Sequence, residues 1–376
     1  MLIVKILSFL IVFIIISSCR NNTTTLSGLD PKDFEITYCN KNIQLYTLRN
    51  KSIELCVTNY GGRIVSVVVP DKEGIKRDVV LGFDSIGDYI KFQTSFGATI
   101  GRYANRIKLG TFVLDSVEYR LPINNSIHTI HGGYNGFQKK VFDVKSFNDS
   151  CLVMHYLSKD GEEGFPGNLD CTVSMKLTCD NAIDISYNAV TDKPTIVNMT
   201  NHSFFNLDGN PMMDVGNYTL CIDADYYTPI DSTLVTTGEI ITVDNSIMDF
   251  RNEKKINEIF NSNDNQLRYA NGLDHNYVIN DYGNILRPCA KLFSDKTGIL
   301  LSVYTNEPGI QVYTANSLNG RFVGKNGIVY NNKSAICLET QHFPDSPNNK
   351  RWPSVILRPG QLYFSRCIYK FSIVDN

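Results

Sequence analysis

Most of the signatures that announce a cofactor are missing from this sequence. There is no G-x-x-x-x-G-K-[ST] phosphate loop, no H-E-x-x-H zinc helix and no G-x-S-x-G nucleophile elbow. "GFDSIG" places glycines beside a strand, but no βαβ unit surrounds it, which argues against a dinucleotide site. Charge of one sign is also scarce. A net charge of −2 with dispersed Lys and Arg leaves no basic stripe for nucleic acid, and no run of like charges forms an interaction tail. No repeat of fixed period occurs. Ten cysteines are present, yet no pair has the C-x-x-C spacing of a zinc or redox site. Cys56, Cys171, Cys179, Cys221 and Cys337 lie in strand-like runs and read as small buried hydrophobes. An exported chain still leaves room for a disulfide or two. Whatever chemistry the chain performs is expected to use ordinary side chains.

The chain opens "MLIVKILSFLIVFIIISSCRNNTTT": one Lys, an apolar run to Ile16, then Ser17, Ser18 and Cys19. This pattern reads as a secretory signal over 1–18, too short for a membrane span of about 20 residues. "ISSC" resembles the lipobox of bacterial lipoproteins, with Cys19 as the lipid-bearing residue. Export to the periplasm or outer membrane is therefore expected, the lipid being the one membrane attachment. Residues 19–32 read as lipidated Cys plus flexible tether, and 33–376 as a single domain.

What fills that domain is strands. In "LDCTVSMKLTC", Leu169 to Cys179, every odd position is apolar and every even one polar, the mark of a half-buried strand. The pattern resumes after Asp180-Asn181, predicting an antiparallel hairpin. "SIELCVT", "GRIVSVVVP", "CLVMHYLS", "YTLCIDADYYTP", "GILLSVYT" and "AICLET" repeat the theme, separated by turn residues. Helical spacing is convincing only over Arg251 to Ser262. The predicted fold is all-β, a large antiparallel β-sandwich.

Six histidines occur. His128 and His155 read as structural. His131 precedes Gly132 and Gly133, which let a ligand or another backbone approach the ring. His202, in "PTIVNMTNHSFFNLD", follows Asn201 and precedes Phe204 and Phe205, aromatic faces suited to a sugar. In "NGLDHNY" either Asp274 or His275 could face a pocket. Glu339 emerges from the apolar "AICL", where desolvation favours a raised pKa; pairing with an Arg explains it equally well on local grounds. Arg102, Asn105 and Arg106 surround a bend, and Gln311 follows Pro308-Gly309. Such amide and guanidinium groups hold neutral hydroxyls.

Taken in order, "GRYANRIKLGTF", "IHGGYNGFQKKVF", "DGEEGFPGNL", "VNMTNHSFFNL", "GLDHNY", "PGIQVYTAN" and "CLETQHFPDSPN" resemble the signatures of the aldose 1-epimerase (galactose mutarotase) family, from about Phe34 to Ser372. The resemblance implies that family's β-sandwich and its reaction, interconversion of α and β anomers of a free aldose such as galactose or glucose. It implies His202 as proton donor to the ring oxygen and Glu339 as acceptor of the C1 hydroxyl proton, an acid and a base on opposite sides of the sugar. It also implies Asn105, Arg106, His131, Asp274 and Gln311 as hydroxyl-binding groups, with His275 behind them. His202 is then protonated and Glu339 ionised at the start. No cofactor or metal is required, although a calcium ion on loop carbonyls stays open, and a monomer is expected. The alternatives are a glycan-binding envelope protein, a glycoside hydrolase using Asp274 and Glu339, or an epimerase of another sugar. A sugar phosphate would need more cations than Arg106 and Arg102.

Overall fold

A computed structural model describes residues 25–374. The expected signal peptide and the lipid attachment at Cys19 lie outside the described residues. The expected tether is described from Thr25 onward, and there it is packed. Thr25 and Leu29 are buried, and the Leu26 amide donates to Glu54 Oε1 at 2.5 Å. Glu54 is wholly buried, so this amide and Arg49 supply the donors its carboxylate needs. The ordered domain thus begins before residue 33.

The hairpin forms as predicted. Strand Leu169–Leu177 buries Leu169, Cys171, Val173, Met175 and Leu177 and turns the alternate residues outward. It pairs antiparallel with Ala182–Thr191, with Leu177 opposite Ile183. Among the described residues this hairpin lies in a nine-stranded sheet, next to the long C-terminal strand Tyr363–Ile373. A five-stranded sheet contains Asp274–Val278, Gly309–Tyr313 and Cys337–Gln341, and a four-stranded sheet contains Glu54–Thr58 and Arg63–Pro70. One apolar cluster joins all three: Val173 and Ile185 with Ile310, Leu338, Leu55 and Val67. Burying both strand faces against each other in this way is what a sandwich requires.

The helix expected over Arg251–Ser262 is mostly absent. Lys254–Lys255 is instead an edge strand against Thr219–Leu220, and only Asn257–Phe260 is helical. Ile256 and Ile259 are buried as their spacing demanded, but pairing with the sheet edge wins the preceding turn. Two helices escaped notice, Ile86–Phe92 and Asn265–Ala270. The first starts inside "GFDSIG", with Ser85 Oγ accepting from the Asp88 amide as an N-cap. Cys56, Cys171 and Cys337 are buried as expected, Cys221 is half-buried and Cys179 is exposed; no disulfide forms among the described residues.

Candidate active site

The floor of the main cleft follows from strand register. Asn276, Gln311 and Glu339 are direct cross-strand partners, and Asp274, Tyr313 and Cys337 form the next row. The period of two sends all six to one face and His275, Val312 and Leu338 to the other. This settles "LDHNY": Asp274 faces the cleft, while His275 is fully buried against Tyr227. Gln311 Nε2 donates to Asp274 Oδ1 at 2.7 Å, and Arg106 Nη1 donates to Oδ2 at 3.3 Å. Asp274 is thereby a clamped carboxylate, each oxygen held by one donor and still able to accept another.

The wall is built from loops. Asn105 and His131 both adopt left-handed backbone, with φ of 61° and 51°. The Asn105 amide donates to His131 Nδ1 at 3.2 Å, while the His131 amide donates to the Asn105 carbonyl. With Nδ1 accepting, Nε2 carries the ring proton of the neutral imidazole. The glycines that follow serve the backbone rather than a ligand. A Cβ on Gly132 would strike the Gly101 carbonyl, and one on Gly133 the Glu163 carboxylate.

His202 ends the short strand Thr200–His202, paired with Ala98–Ile100, and enters the cleft edge-on to His131. Phe204 stacks on its ring at 4.9 Å and 13°. Asn201 turns away, its side chain spent on the Gly97 carbonyl and on Ser203. His202 Nε2 lies 3.6 Å from Glu339 Oε1. The two are neighbours, not groups facing each other across a sugar. His202 Nδ1, Glu339 Oε2 and Gln311 Oε1 are buried without a protein partner, leaving each open to a hydrogen bond from another molecule.

Burial dominates the electrostatics. It pushes Glu339 well above the carboxylate range, and the Asp274 charge adds to this against a smaller opposing effect of Arg106. Burial brings His202 down to about 4, partly offset by Asp274, and it lowers His131 far below an ordinary histidine. Burial thus works against the expected protonated His202 and ionised Glu339. Hydrogen bonds to a charged form favour it, so hydroxyl donors on Glu339 and an oxygen acceptor at His202 would oppose the effect of burial.

The cleft encloses about 770 Å³ and gathers Asn105, Arg106, His131, His202, Asp274 and Glu339 along its lining. Gln311 reaches it through Asp274. Arg102 does not. Its buried guanidinium donates to the carbonyls of Pro166, Gly167, Ser158 and Lys159, a staple for two loops. His128 bonds Thr233, and His155 has more polar company than expected, a contact with Asp170 at 2.8 Å. His342 pairs with the buried Glu307, whose charge raises its pKa against burial. Cleft residues that sequence reading missed include Tyr313, Asn125 and the rim group of Phe92, Phe322 and Arg321. Tyr313 was within reach, two residues past Gln311 on the same strand face. Cys337 stands likewise two residues before Glu339; His202, Cys337 and Glu339 offer donor atoms within 4.8 Å of one another. Burial keeps that thiol protonated, which disfavours its use as a metal ligand.

A β-sandwich whose cleft pairs a buried carboxyl with an imidazole, ringed by amide, guanidinium and carboxylate groups, fits a carbohydrate-active protein. The sequence model of the aldose 1-epimerase family matches residues 44–370. Human galactose mutarotase is 38% identical over 331 residues, spanning 88% of this chain and 94% of its own. Aldose 1-epimerase of Escherichia coli K12 is 37% identical over 331 residues, spanning 87% and 95%. Among solved structures, an aldose epimerase homologue from C. elegans is 31% identical with a TM-score of 0.82, covering 88% of this chain and 99% of its own. A galactose 1-epimerase from Lactobacillus acidophilus is 29% identical with a TM-score of 0.79, covering 90% and 98%. The chain belongs to the aldose 1-epimerase family. Its reaction class is that family's, isomerisation at the anomeric carbon of an aldose.

Proposed function

We propose that His202 and Glu339 are the acid and base of this reaction and that free hexoses, galactose and glucose, are its substrates. The observation that carries the assignment is the 3.6 Å between His202 Nε2 and Glu339 Oε1 at the cleft floor. The two oxygens that exchange protons, the C1 hydroxyl and the ring oxygen, are bonded to the same carbon, so an acid and a base this close together can reach both. Glu339 takes the C1 hydroxyl proton, the electron pair of the bond between C1 and the ring oxygen moves to the ring oxygen, and His202 supplies its proton. Rotation about C1–C2 presents the other aldehyde face, and the reverse transfers close the other anomer.

Asp274, held by Gln311 and Arg106, fixes hydroxyls on the floor; Asn105 and His131 act from the wall, where His131 Nε2 donates. Phe204 orients the His202 ring, and the rim aromatics meet the sugar's C–H surface. Both proton transfers are served by side chains of one chain, so neither a cofactor nor a second subunit is needed. The human relative is a galactose mutarotase and the Lactobacillus one a galactose 1-epimerase, which supports galactose as a substrate.

The lipoprotein-type start, "IISSC", supports a periplasmic or outer-membrane enzyme acting on sugars before uptake. Cys19→Ala should release it from the membrane fraction; a variant that stays bound refutes the anchor. For the chemistry, protein from Arg20 onward is added to freshly dissolved α-D-galactose and followed by polarimetry. Relaxation far above the buffer rate is expected. No acceleration with galactose or glucose would redirect the assignment to another sugar or to glycan binding.

A further inference from the structure

Arg63 is among the largest fully buried side chains, and its charge has no carboxylate partner among the described residues. Carbonyls satisfy it instead. Nη1 donates to Phe96 O at 2.7 Å and to Thr94 O at 3.0 Å, Nη2 to Gln138 O at 2.8 Å, and Nε reaches Tyr60 O at 3.4 Å. Its guanidinium carbon lies 4.6 Å from the centre of the Tyr89 ring and 5.7 Å from that of Tyr60. A buried cation held only by carbonyls and ring faces is costly to stability, so packing alone is a poor reason for it.

The atoms it grips lead to the acid. Thr94 and Phe96 line the cleft. The Phe96 ring meets Phe204 edge-on at 4.8 Å, and Phe204 stacks on His202. Next to Phe96, the Gly97 amide donates to the His202 carbonyl, and the Gly97 carbonyl accepts from the Ile64 amide beside Arg63. Gln138 closes the loop that began at His131. One guanidinium therefore ties the segment behind the His202 ring to the loop bearing His131.

We propose that Arg63 is a positioning residue for the anomer-interconversion reaction, holding His202 and the His131 loop in register and setting a fixed positive potential behind the acid. This rests on the acid role of His202 proposed above. A nearby cation makes an imidazolium a stronger acid, which suits protonation of a weakly basic ring oxygen. The other groups facing His202 are Glu339 and Cys337 from one strand, Asp274 and Tyr313 from its neighbours, and His131 at the ring edge. Burial lowers the His202 pKa most, Asp274 raises it, and Arg63 adds a smaller lowering.

Two variants separate charge from geometry. Arg63→Met is expected to lower kcat roughly 10- to 100-fold, with a smaller change in KM, and to move the acid limb of the pH–rate profile up by about one unit. Arg63→Lys keeps the charge and loses the fork, so kcat falls while the acid limb stays in place. A folded Arg63→Met protein with wild-type kcat and an unmoved acid limb overturns the proposal. If neither variant folds, Arg63 serves the fold alone and the proposal also fails. Wild-type protein that does not accelerate mutarotation refutes the assignment of function itself, whereas an active wild type with unaltered Arg63 variants refutes this inference alone.

Discussion

The floor and the wall of the cleft are made by different means. On the floor, Asp274, Gln311 and Glu339 stand on three adjacent strands, and the pleat alone aims them. On the wall, Asn105 and His131 are held by left-handed backbone, a reciprocal pair of hydrogen bonds and glycines that admit a neighbouring chain. The floor depends on which side chain stands at each register position. The wall depends on main-chain shape, so its weak points are residues that never touch a substrate.

Glu339→Gln breaks the floor chemically while sparing its register. Removing a positioned base should lower kcat by roughly 10²- to 10⁴-fold, measured by polarimetry, with an unchanged melting curve. A loss below fivefold would take the base away from Glu339. Gly132→Ala breaks the wall instead. Its φ of 77° and the clash with the Gly101 carbonyl predict a destabilisation of about 2–3 kcal/mol by urea unfolding and a raised KM. Gly74 sharpens the comparison, since its φ of 80° is similar but nothing stands within 4 Å of a new Cβ. Gly74→Ala should therefore cost only about 1 kcal/mol and leave KM alone. Equal costs at the two glycines would mean that conformation, not close approach, governs the wall.

Gln311→Leu is the mildest of the changes to the floor. It unties one oxygen of Asp274 and removes the orphaned Oε1, for an expected rise in KM of about tenfold, or about 1.4 kcal/mol. A larger effect on kcat than on KM would place Gln311 in the transition state rather than in sugar binding.

The same division decided what could be read from the sequence. Leu169–Leu177 and its hairpin were legible because alternation is a direct image of one buried face. Glu339 was legible as a carboxylate leaving an apolar strand. The choice between Asp274 and His275 was not, since it depends on which face of Asp274–Val278 pairs across to Gly309–Tyr313. Arg102 and Arg106 look equivalent in "GRYANR", yet one staples loops and the other reaches Asp274; only the path of the chain separates them. Arg251–Ser262 misled because its apolar spacing suits a helix, while a free sheet edge competed for Lys254 and Lys255. The family motifs carried the remaining assignments, and the 44–370 match supports that reading of their order.

The central claim is that His202 and Glu339 share one proton in the active form, and the pH dependence of kcat/KM on α-D-galactose, corrected for the buffer reaction, tests it most directly. Below the acid limb the pair holds two protons and Glu339 cannot accept; above the alkaline limb it holds none and His202 cannot donate. With His202 brought down to about 4 and Glu339 pushed well above the usual carboxylate range, the predicted profile is a broad bell. Activity should fall only as pH drops toward about 4, and fall again on the alkaline side. In Glu339→Gln the acid limb should disappear, leaving a residual rate that only falls as pH rises and His202 loses its proton. An acid limb at the ordinary histidine value near 6.5, or a profile whose shape survives substitution of either residue, would contradict the account.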